Sequence, residues 1–281
     1  MTHSRDERLA LADLLAEVGP DAPTLCEGWT TGDLAAHLVL RESRPDTAAG
    51  AMGGPLAGYT ARALEKLKGR QGYAELIEAF RNGPPRFSLF ALPRADELGN
   101  TVEYFVHHED VRRAAGDWSP RQLDPGLSDA LWRQLKGGAR LMLGRAPVGV
   151  ELARDESLAD LATAEGSAPA ASTGEAATAG AAATAGATAA GPATAGATTT
   201  AASDSGAAGA AGASATGTGA TSTGAGAGGP YRVTAKRSAP LVTVTGTSAE
   251  LTLWAFGRAG ASNVRLDGPK AAINNLQAWR R

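Results

Sequence analysis

The sequence lacks the features that mark several common classes of protein. Only one of its 281 residues is cysteine, which excludes a disulfide within the chain and fits a reducing cytosol. No apolar stretch is long enough to span a bilayer, and residues 1–8, MTHSRDER, are too charged for a signal peptide. The formal net charge of −2 gives no sign of nucleic-acid binding. We therefore expect a cytoplasmic protein that engages neither membranes nor nucleic acids; the sequence does not indicate its oligomeric state.

Aromatic residues are also scarce, at 5%, and glycine is abundant, with 36 residues. Much of this unusual composition comes from one tract. Residues 163–229 consist almost entirely of alanine, glycine, threonine and serine and contain no aromatic residue. Alanine favours helix, but the regularly placed glycine, threonine and serine oppose it. We interpret the tract as a disordered linker.

Four regions follow from this tract and from the patterns on either side of it. We predict a metal-binding helical bundle over 1–146, a strand and connection over 147–162, the disordered linker over 163–229 and a small α+β unit over 230–281.

The first region carries helical periodicity. Residues 4–18 have a leucine stripe, and the charged residues 5–8 are expected to face water. A second helix runs from Gly32 to about Glu42, and Thr30 begins it, with Asp33 three residues on in a variant of the capping box. A last long helix covers about 127–143. The most economical arrangement is a four-helix bundle with extra pieces, so the fold class is mainly α.

The last region alternates between strand and helix patterns. Residues 241–245 and 263–266 read as strands, and residues 247–256 and 269–279 as helices. Residues 148–152, before the low-complexity tract, also alternate like a strand. They could pair with this C-terminal α+β unit across the tract.

A helix over Thr101–Ala114 carries the most informative side chains. Asn100 is a plausible N-cap and Gly116 a plausible C-terminal stop. Residues four apart lie one above the other on a helix, so Glu103 and His107 share a face. A carboxylate and an imidazole on a buried face provide two of the three protein ligands of an open divalent-metal site.

A third ligand has to come from elsewhere in the chain. The chain has four histidines, and His37 is the candidate on another helix, because His3 is terminal and His108 lies about 100° from His107 around the helix. His37, Glu103 and His107 would give two nitrogens and one carboxylate, a set that suits Zn²⁺ with one exchangeable position. The same set also suits Fe²⁺, Mn²⁺ or Ni²⁺.

Each ligand has a purely structural alternative. His37 could be a core histidine bonded to a backbone carbonyl, Glu103 could pair with an arginine, and His107 could pack on a helix face. The single Cys26 excludes a sulfur-rich structural metal site, and it is either a reactive thiol or a buried packing residue.

Neighbours of the ligand residues also admit two interpretations. Asp110 lies on the ligand side of the helix and could accept a hydrogen bond from a ligand histidine. Alternatively, it could form an ion pair with Arg113 or Arg41. His108 is expected at the surface or beside the ligands, and Arg112–Arg113 on a solvated face.

Two stretches resemble signatures of a known family. Leu25–Leu38, LCEGWTTGDLAAHL, resembles the pattern C-x-G-W-T-x-x-D-L-x-x-H-L of the mycothiol-dependent maleylpyruvate isomerase N-terminal domain. Glu103–Ala114 resembles that family's second pattern, E-x-x-x-H-x-x-D-x-x-x-A. The C-terminal unit around residues 242–257 is similar to the short actinobacterial metal-binding subgroup. The low-complexity tract has no counterpart and looks like an insertion.

The resemblance implies a DinB-like four-helix bundle and a divalent metal, usually zinc, on His37, Glu103 and His107. It also implies thiol chemistry, with mycothiol as cosubstrate and an electrophilic small molecule as substrate. We therefore expect a metal-dependent thiol transferase or isomerase whose catalytic residues are not assigned. The alternatives are a non-catalytic metal-binding or sensing protein and a helical domain whose polar triad is structural.

Overall fold

The computed structural model describes residues 2–44, 57–159 and 231–280, which are mostly helical with one small sheet. The helices are α1 (His3–Val18), α2 (Thr31–Ser43), α3 (Ala57–Lys68), α4 (Tyr73–Asn82), α5 (Pro93–Arg112), α6 (Pro125–Leu143), α7 (Ser248–Ala255) and α8 (Lys270–Trp279). The strands are β1 (Gly149–Arg154), β2 (Tyr231–Lys236), β3 (Leu241–Gly246) and β4 (Arg265–Asp267). The mainly α character is confirmed, whereas the DinB-like bundle and the four-region division stay predictions. The tract at 163–229 lies outside the described residues.

The leucine stripes of the first helices form one apolar core. Leu11 and Leu15 of α1 and Leu34 and Leu38 of α2 are fully buried, where each leucine stabilises the fold by about 1.5–3 kcal/mol. They share this core with Phe80 and with residues of α5. Helix α1 packs against α4 and α5, and α2 packs against α3 and α4. This packing brings α2 and α5 to either side of a polar cluster.

The charged residues at the start of α1 face water only in part: Arg5 and Asp6 are exposed as predicted, whereas Glu7 and Arg8 are buried. Arg8 is only 7% exposed, and its Nη2 donates to Glu42 Oε1 and Asp96 Oδ1 at 3.0 Å and to Tyr104 Oη at 2.8 Å. Glu7 is also buried and accepts two hydrogen bonds from Arg121. The prediction was wrong for Glu7 and Arg8 because α1 is covered on their side by α5, and opposite charges on neighbouring elements stabilise these two buried charges.

The sheet joins the two flanks of the low-complexity tract. Its strand order is β2-β1-β3-β4, in which β1 is antiparallel to β2 and parallel to β3, and β3 is antiparallel to β4. The register places Arg154 opposite Tyr231, and Leu152 opposite Val244. The strand predicted at 148–152 therefore does pair with the C-terminal unit.

Two apolar clusters attach the C-terminal unit to the helices. One unites Trp132 and Leu143 of α6 with the inward face of the sheet and with Trp254 of α7. The other unites Phe105 of α5, Leu131 of α6 and Leu253 of α7. Helix α7 thus lies close to α5, and the segment that follows α7 can reach the polar cluster. In the three described ranges, no helix is long and apolar enough to cross a membrane.

Candidate metal centre

Helix α2 presents the first of the three predicted ligands. Thr30 is its N-cap, with the Asp33 amide donating to Thr30 Oγ1 at 3.4 Å and the Thr30 amide donating to Asp33 Oδ2 at 3.0 Å, so the predicted capping box is present. His37 lies two turns into the helix and is 7% exposed. Its ring packs against Trp29 with centroids 5.1 Å apart. The cap and the neighbouring leucines fix the direction in which the imidazole points.

Helix α5 presents the other two ligands and begins earlier than the sequence suggests. It starts at Pro93, with Leu92 as N-cap, so the predicted N-cap Asn100 lies inside the helix. Asn100 is fully buried, donates to Asp96 Oδ1 at 2.8 Å and accepts from Arg41. Tertiary partners for its side chain outweigh its local preference for a helix end. Gly116 has a φ of 95° just beyond the helix, which suits a turn after its C-terminus.

The three predicted ligand atoms converge on one point. His37 Nε2 lies 3.2 Å and His107 Nε2 lies 3.3 Å from the same oxygen, Glu103 Oε1. Ligands bound tetrahedrally at about 2.0–2.2 Å from one ion are about 3.4 Å apart. Both nitrogen–oxygen distances match this value, and the two nitrogens lie within 4.8 Å of one another, so the group has the chemistry of an open zinc-type site.

Electrostatics favour a neutral His37 beside an ionised Glu103. Burial lowers the pKa of His37, and the nearby positive charges of His107 and Arg41 add to this effect. Burial alone would raise the pKa of Glu103, but hydrogen bonds from His107 and His37 together with the Arg41 charge hold it well below its usual value. Metal ions bind neutral imidazole and ionised carboxylate, so both protonation states suit ligation.

Arg41 fixes the orientation of the Glu103 carboxylate. Its Nε lies 3.2 Å from Glu103 Oε1. The guanidinium is held in turn by the Gly99 carbonyl, which accepts from Nη2 at 2.8 Å, and lies over the Phe90 ring at 4.8 Å. A guanidinium anchored on α5 in this way aims one carboxylate oxygen at the two histidines.

His107 is oriented through its second ring nitrogen. Asp110 Oδ2 lies 2.9 Å from His107 Nδ1 and holds a proton there, so Nε2 is the ring nitrogen that faces the cluster. The hydrogen bond predicted between Asp110 and a ligand histidine is thus present. Burial alone would lower the pKa of His107, but Asp110, Cys26 and Glu103 raise it well above its usual value. A metal ion would have to displace a proton from Nε2 on binding.

The partner that anchors Asp110 was not predicted. Arg258, just after α7, donates from Nε to Asp110 Oδ1 at 2.7 Å and from Nη2 to Oδ2 at 2.6 Å. Burial would raise the pKa of Asp110, but hydrogen bonds from His107 and Arg258 and their charges lower it to about 2. The alternative prediction of an ion pair between Asp110 and Arg41 or Arg113 is wrong. Arg41 pairs with Glu103, and Arg113 pairs elsewhere.

Two further expectations about this helix were wrong. Arg113 is 3% exposed and pairs with Glu109 at 2.6 Å and Glu250 at 2.7 Å, so it does not lie on a solvated face. His108 is 7% exposed, and its Nδ1 lies 3.1 Å from Glu7 Oε2. It is therefore not at the surface, and its hydrogen-bond partner is Glu7 and not one of the three candidate ligands. Helix α5 is covered on these sides by α1 and α7, which the helix pattern alone did not show.

A second group of potential ligands shares His107. Cys26, His107 and Asp110 also offer atoms within 4.8 Å of one another. The half-buried Cys26 donates from Sγ to Asp110 Oδ2 at 3.2 Å and accepts from Arg258 Nη2 at 3.3 Å. The guanidinium already occupies the position that a cation would need there. The group of His37, Glu103 and His107 is therefore the better candidate.

Comparison with known families supports the helical part of this picture. Residues 2–112 match the family model described as the mycothiol maleylpyruvate isomerase N-terminal domain, which confirms the resemblance of the two signatures. The match spans α1 to α5 and includes all three candidate ligands. Arg258 and the sheet lie outside the matched residues. No curated protein and no solved structure matched the chain.

Proposed function

We propose that the chain binds one divalent ion through His37, Glu103 and His107, with Zn²⁺ as the expected ion. The observation that supports this proposal is the approach of both histidine Nε2 atoms to within 3.3 Å of Glu103 Oε1. Two imidazoles and one carboxylate are the donor set of open catalytic zinc sites, which leave a fourth position for an exchangeable ligand.

We further propose that the centre serves a thiol-dependent transferase or isomerase, with a mycothiol-type thiol as cosubstrate and an electrophilic small molecule as substrate. An ion held there supplies Lewis acidity and favours the ionised form of a bound thiol at neutral pH. The chain's own residues prepare the site: Asp110 keeps the proton of His107 on Nδ1, and Arg41 aims Glu103 Oε1. The family match supports the thiol by analogy.

Elemental analysis of purified protein tests the ligand set. The wild-type chain should carry about one ion per chain, and the His37→Ala and His107→Ala variants should carry little, because each loses one of three protein ligands. His3→Ala is the matched control, because it removes a histidine outside the cluster. Unchanged metal content in both ligand variants would refute the proposed site.

Cobalt substitution tests the thiol. Adding mycothiol or a simple thiol to the cobalt protein should produce a sulfur-to-cobalt charge-transfer band that is absent from Glu103→Ala protein. The band should persist in Cys26→Ser protein, which shows that the added thiol and not the nearby Cys26 supplies the sulfur. If other small ligands change the cobalt spectrum and thiols do not, the thiol role is wrong and non-catalytic metal binding or sensing becomes the better proposal.

A further inference from the structure

A concave feature lies between the C-terminal end of α2 and helix α3. It is a groove of about 460 Å³, within the range of about 300–1,000 Å³ that is usual for small-molecule sites. Leu40, Ala63 and Leu67 give it an apolar floor, and Arg62, Lys66 and Arg70 line its exposed side. None of the three metal-centre ligands lines it.

The charges on this groove have one sign. Arg62, Lys66 and Arg70 follow one another at intervals of four residues, along α3 and into the turn after it. Like charges four apart on a helix destabilise it by about 0.2–0.5 kcal/mol per pair. In the described part of the chain, no carboxylate pairs with these three side chains, and none of the described lining residues is acidic.

The neighbouring Lys68 shows that α3 can neutralise its cations where the fold requires it. Lys68, which does not line the groove, has its Nζ 2.6 Å from Asp33 Oδ1 and 3.5 Å from Glu65 Oε1. The C-terminal dipole of α3 favours a cation at Lys66, in the last turn, but it does not reach Arg62. The charges on the groove, which no carboxylate of the described ranges compensates, therefore fit a bound anion.

We propose that this groove binds a phosphorylated organic small molecule. Its phosphate lies among Arg62, Lys66 and Arg70, because guanidinium forks match the geometry of phosphate oxygens. Its apolar or aromatic portion covers Leu40, Ala63 and Leu67. The combination of cationic rim and apolar floor selects a phosphate ester over inorganic phosphate, and the groove acts independently of the metal centre.

Calorimetric titration with phenyl phosphate tests the assignment. Phenyl phosphate should bind the full-length protein more tightly than inorganic phosphate does, and binding should weaken with added salt. The double variant Arg62→Gln/Lys66→Gln should bind about tenfold more weakly or worse, because two charge-assisted hydrogen bonds are lost. Arg133→Gln/Arg140→Gln, with the same charge change on exposed residues of α6, should bind as the wild type. His37→Ala should also bind normally, which separates this groove from the metal centre.

Three results would overturn the proposal. Equal weakening in the Arg133→Gln/Arg140→Gln control would show diffuse attraction and not a site. Equal affinities for phenyl phosphate and inorganic phosphate would show that the apolar floor takes no part. Absence of phenyl phosphate binding, together with cosedimentation of the protein with vesicles of equimolar phosphatidylcholine and phosphatidylglycerol through Arg62 and Lys66, would assign the groove to a lipid surface instead.

Discussion

The candidate ligands depend on residues that orient them. Glu103 Oε1 faces both histidines because Arg41 holds the carboxylate, and Arg41 is itself held by the carbonyl of Gly99. His107 faces the cluster through Nε2 because Asp110 lies at Nδ1. Supporting hydrogen bonds of this kind commonly change metal affinity by about 10–100-fold.

Arg258 should act on the metal centre without touching a ligand. It holds both oxygens of Asp110, so replacing it with glutamine should loosen Asp110 and the His107 ring and weaken metal binding by about tenfold or more. Competition with a chromophoric chelator measures this affinity. Asp110→Asn should have a similar effect, and the double variant should lose little more, because the two residues act in series.

The matched control for Arg258 lies in the same unit. Arg265→Gln removes an exposed arginine from β4 and should leave metal affinity at the wild-type value. Arg258→Lys keeps the positive charge but cannot contact both oxygens of Asp110, so its metal affinity should lie between those of the wild type and Arg258→Gln. If Arg258→Gln protein binds metal as tightly as wild type, the Arg258–Asp110 contact is only structural.

At the scale of elements, the sequence predicted the helix that carries Glu103 and His107 but not its N-terminal half. Gly99 and Asn100 look like a loop in isolation, yet Asn100 is satisfied inside α5 by Asp96 and Arg41. The shared face of Glu103 and His107 was predictable because the four-residue spacing is a local signal, and the start of α2 was predictable because the Thr30 capping box is another. The burial of Arg113 was not predictable from local signals, because its partner Glu250 lies 137 residues away.

Glu156 joins three elements at one oxygen. Its Oε1 accepts from the Ser248 amide at 3.0 Å at the start of α7, from Ser128 Oγ of α6 at 2.7 Å and from Arg154 Nε of β1 at 2.7 Å. Burial alone would raise the pKa of Glu156, but hydrogen bonds from Ser248, Ser128 and Arg154 lower it. The carboxylate also suits the positive end of the α7 dipole.

Replacing Glu156 with glutamine should therefore destabilise the fold in a pH-dependent way. The pKa of Glu156 is lower in the folded than in the unfolded chain, so its stabilisation is present above the unfolded value of about 4.3 and is lost as pH falls through the folded value. We expect Glu156→Gln to lower the free energy of unfolding by about 1 kcal/mol at about pH 7, a figure reduced because the side chain is 41% exposed.

Urea unfolding at several pH values measures this effect. The difference from wild type should shrink as the pH is lowered toward about 3. Glu17→Gln, the same substitution at an exposed position near the end of α1, should change stability little at any pH. A pH-independent loss in Glu156→Gln protein would mean that side-chain shape and not charge holds the three elements together.

At the scale of the whole molecule, the C-terminal unit is continuous with the helices despite the intervening tract. It contributes two outer strands and β3 to a sheet whose central β1 precedes the tract, and Arg258 follows its partner Asp110 by 148 residues. The alternation of residues 148–152 was enough to predict the pairing of β1. No local pattern could predict the Arg258 contact, because it arises only when α7 packs against α5.

The sheet register makes a specific prediction about residues 163–229. Arg154 and Tyr231 are opposite one another in the β1–β2 pair, so a short Gly/Ser linker can replace the tract without moving either strand. The tract lacks the large apolar residues needed to offset the entropy of ordering a chain. Its deletion should therefore not lower the melting temperature, and it should leave the metal affinity nearly unchanged.

The length of the connection between β1 and β2 determines how its deletion changes the stability of the fold. Halving a flexible loop reduces its closure cost by about 0.6 kcal/mol, so a much shorter connection should raise stability slightly, by about 1–2 kcal/mol. Thermal unfolding and chelator competition on the deletion variant measure both properties. A linker of the original length but pure Gly/Ser composition is the control, because it preserves closure cost and changes only sequence. If deletion and this control both lower the melting temperature sharply, residues 163–229 stabilise the folded part through contacts of their own.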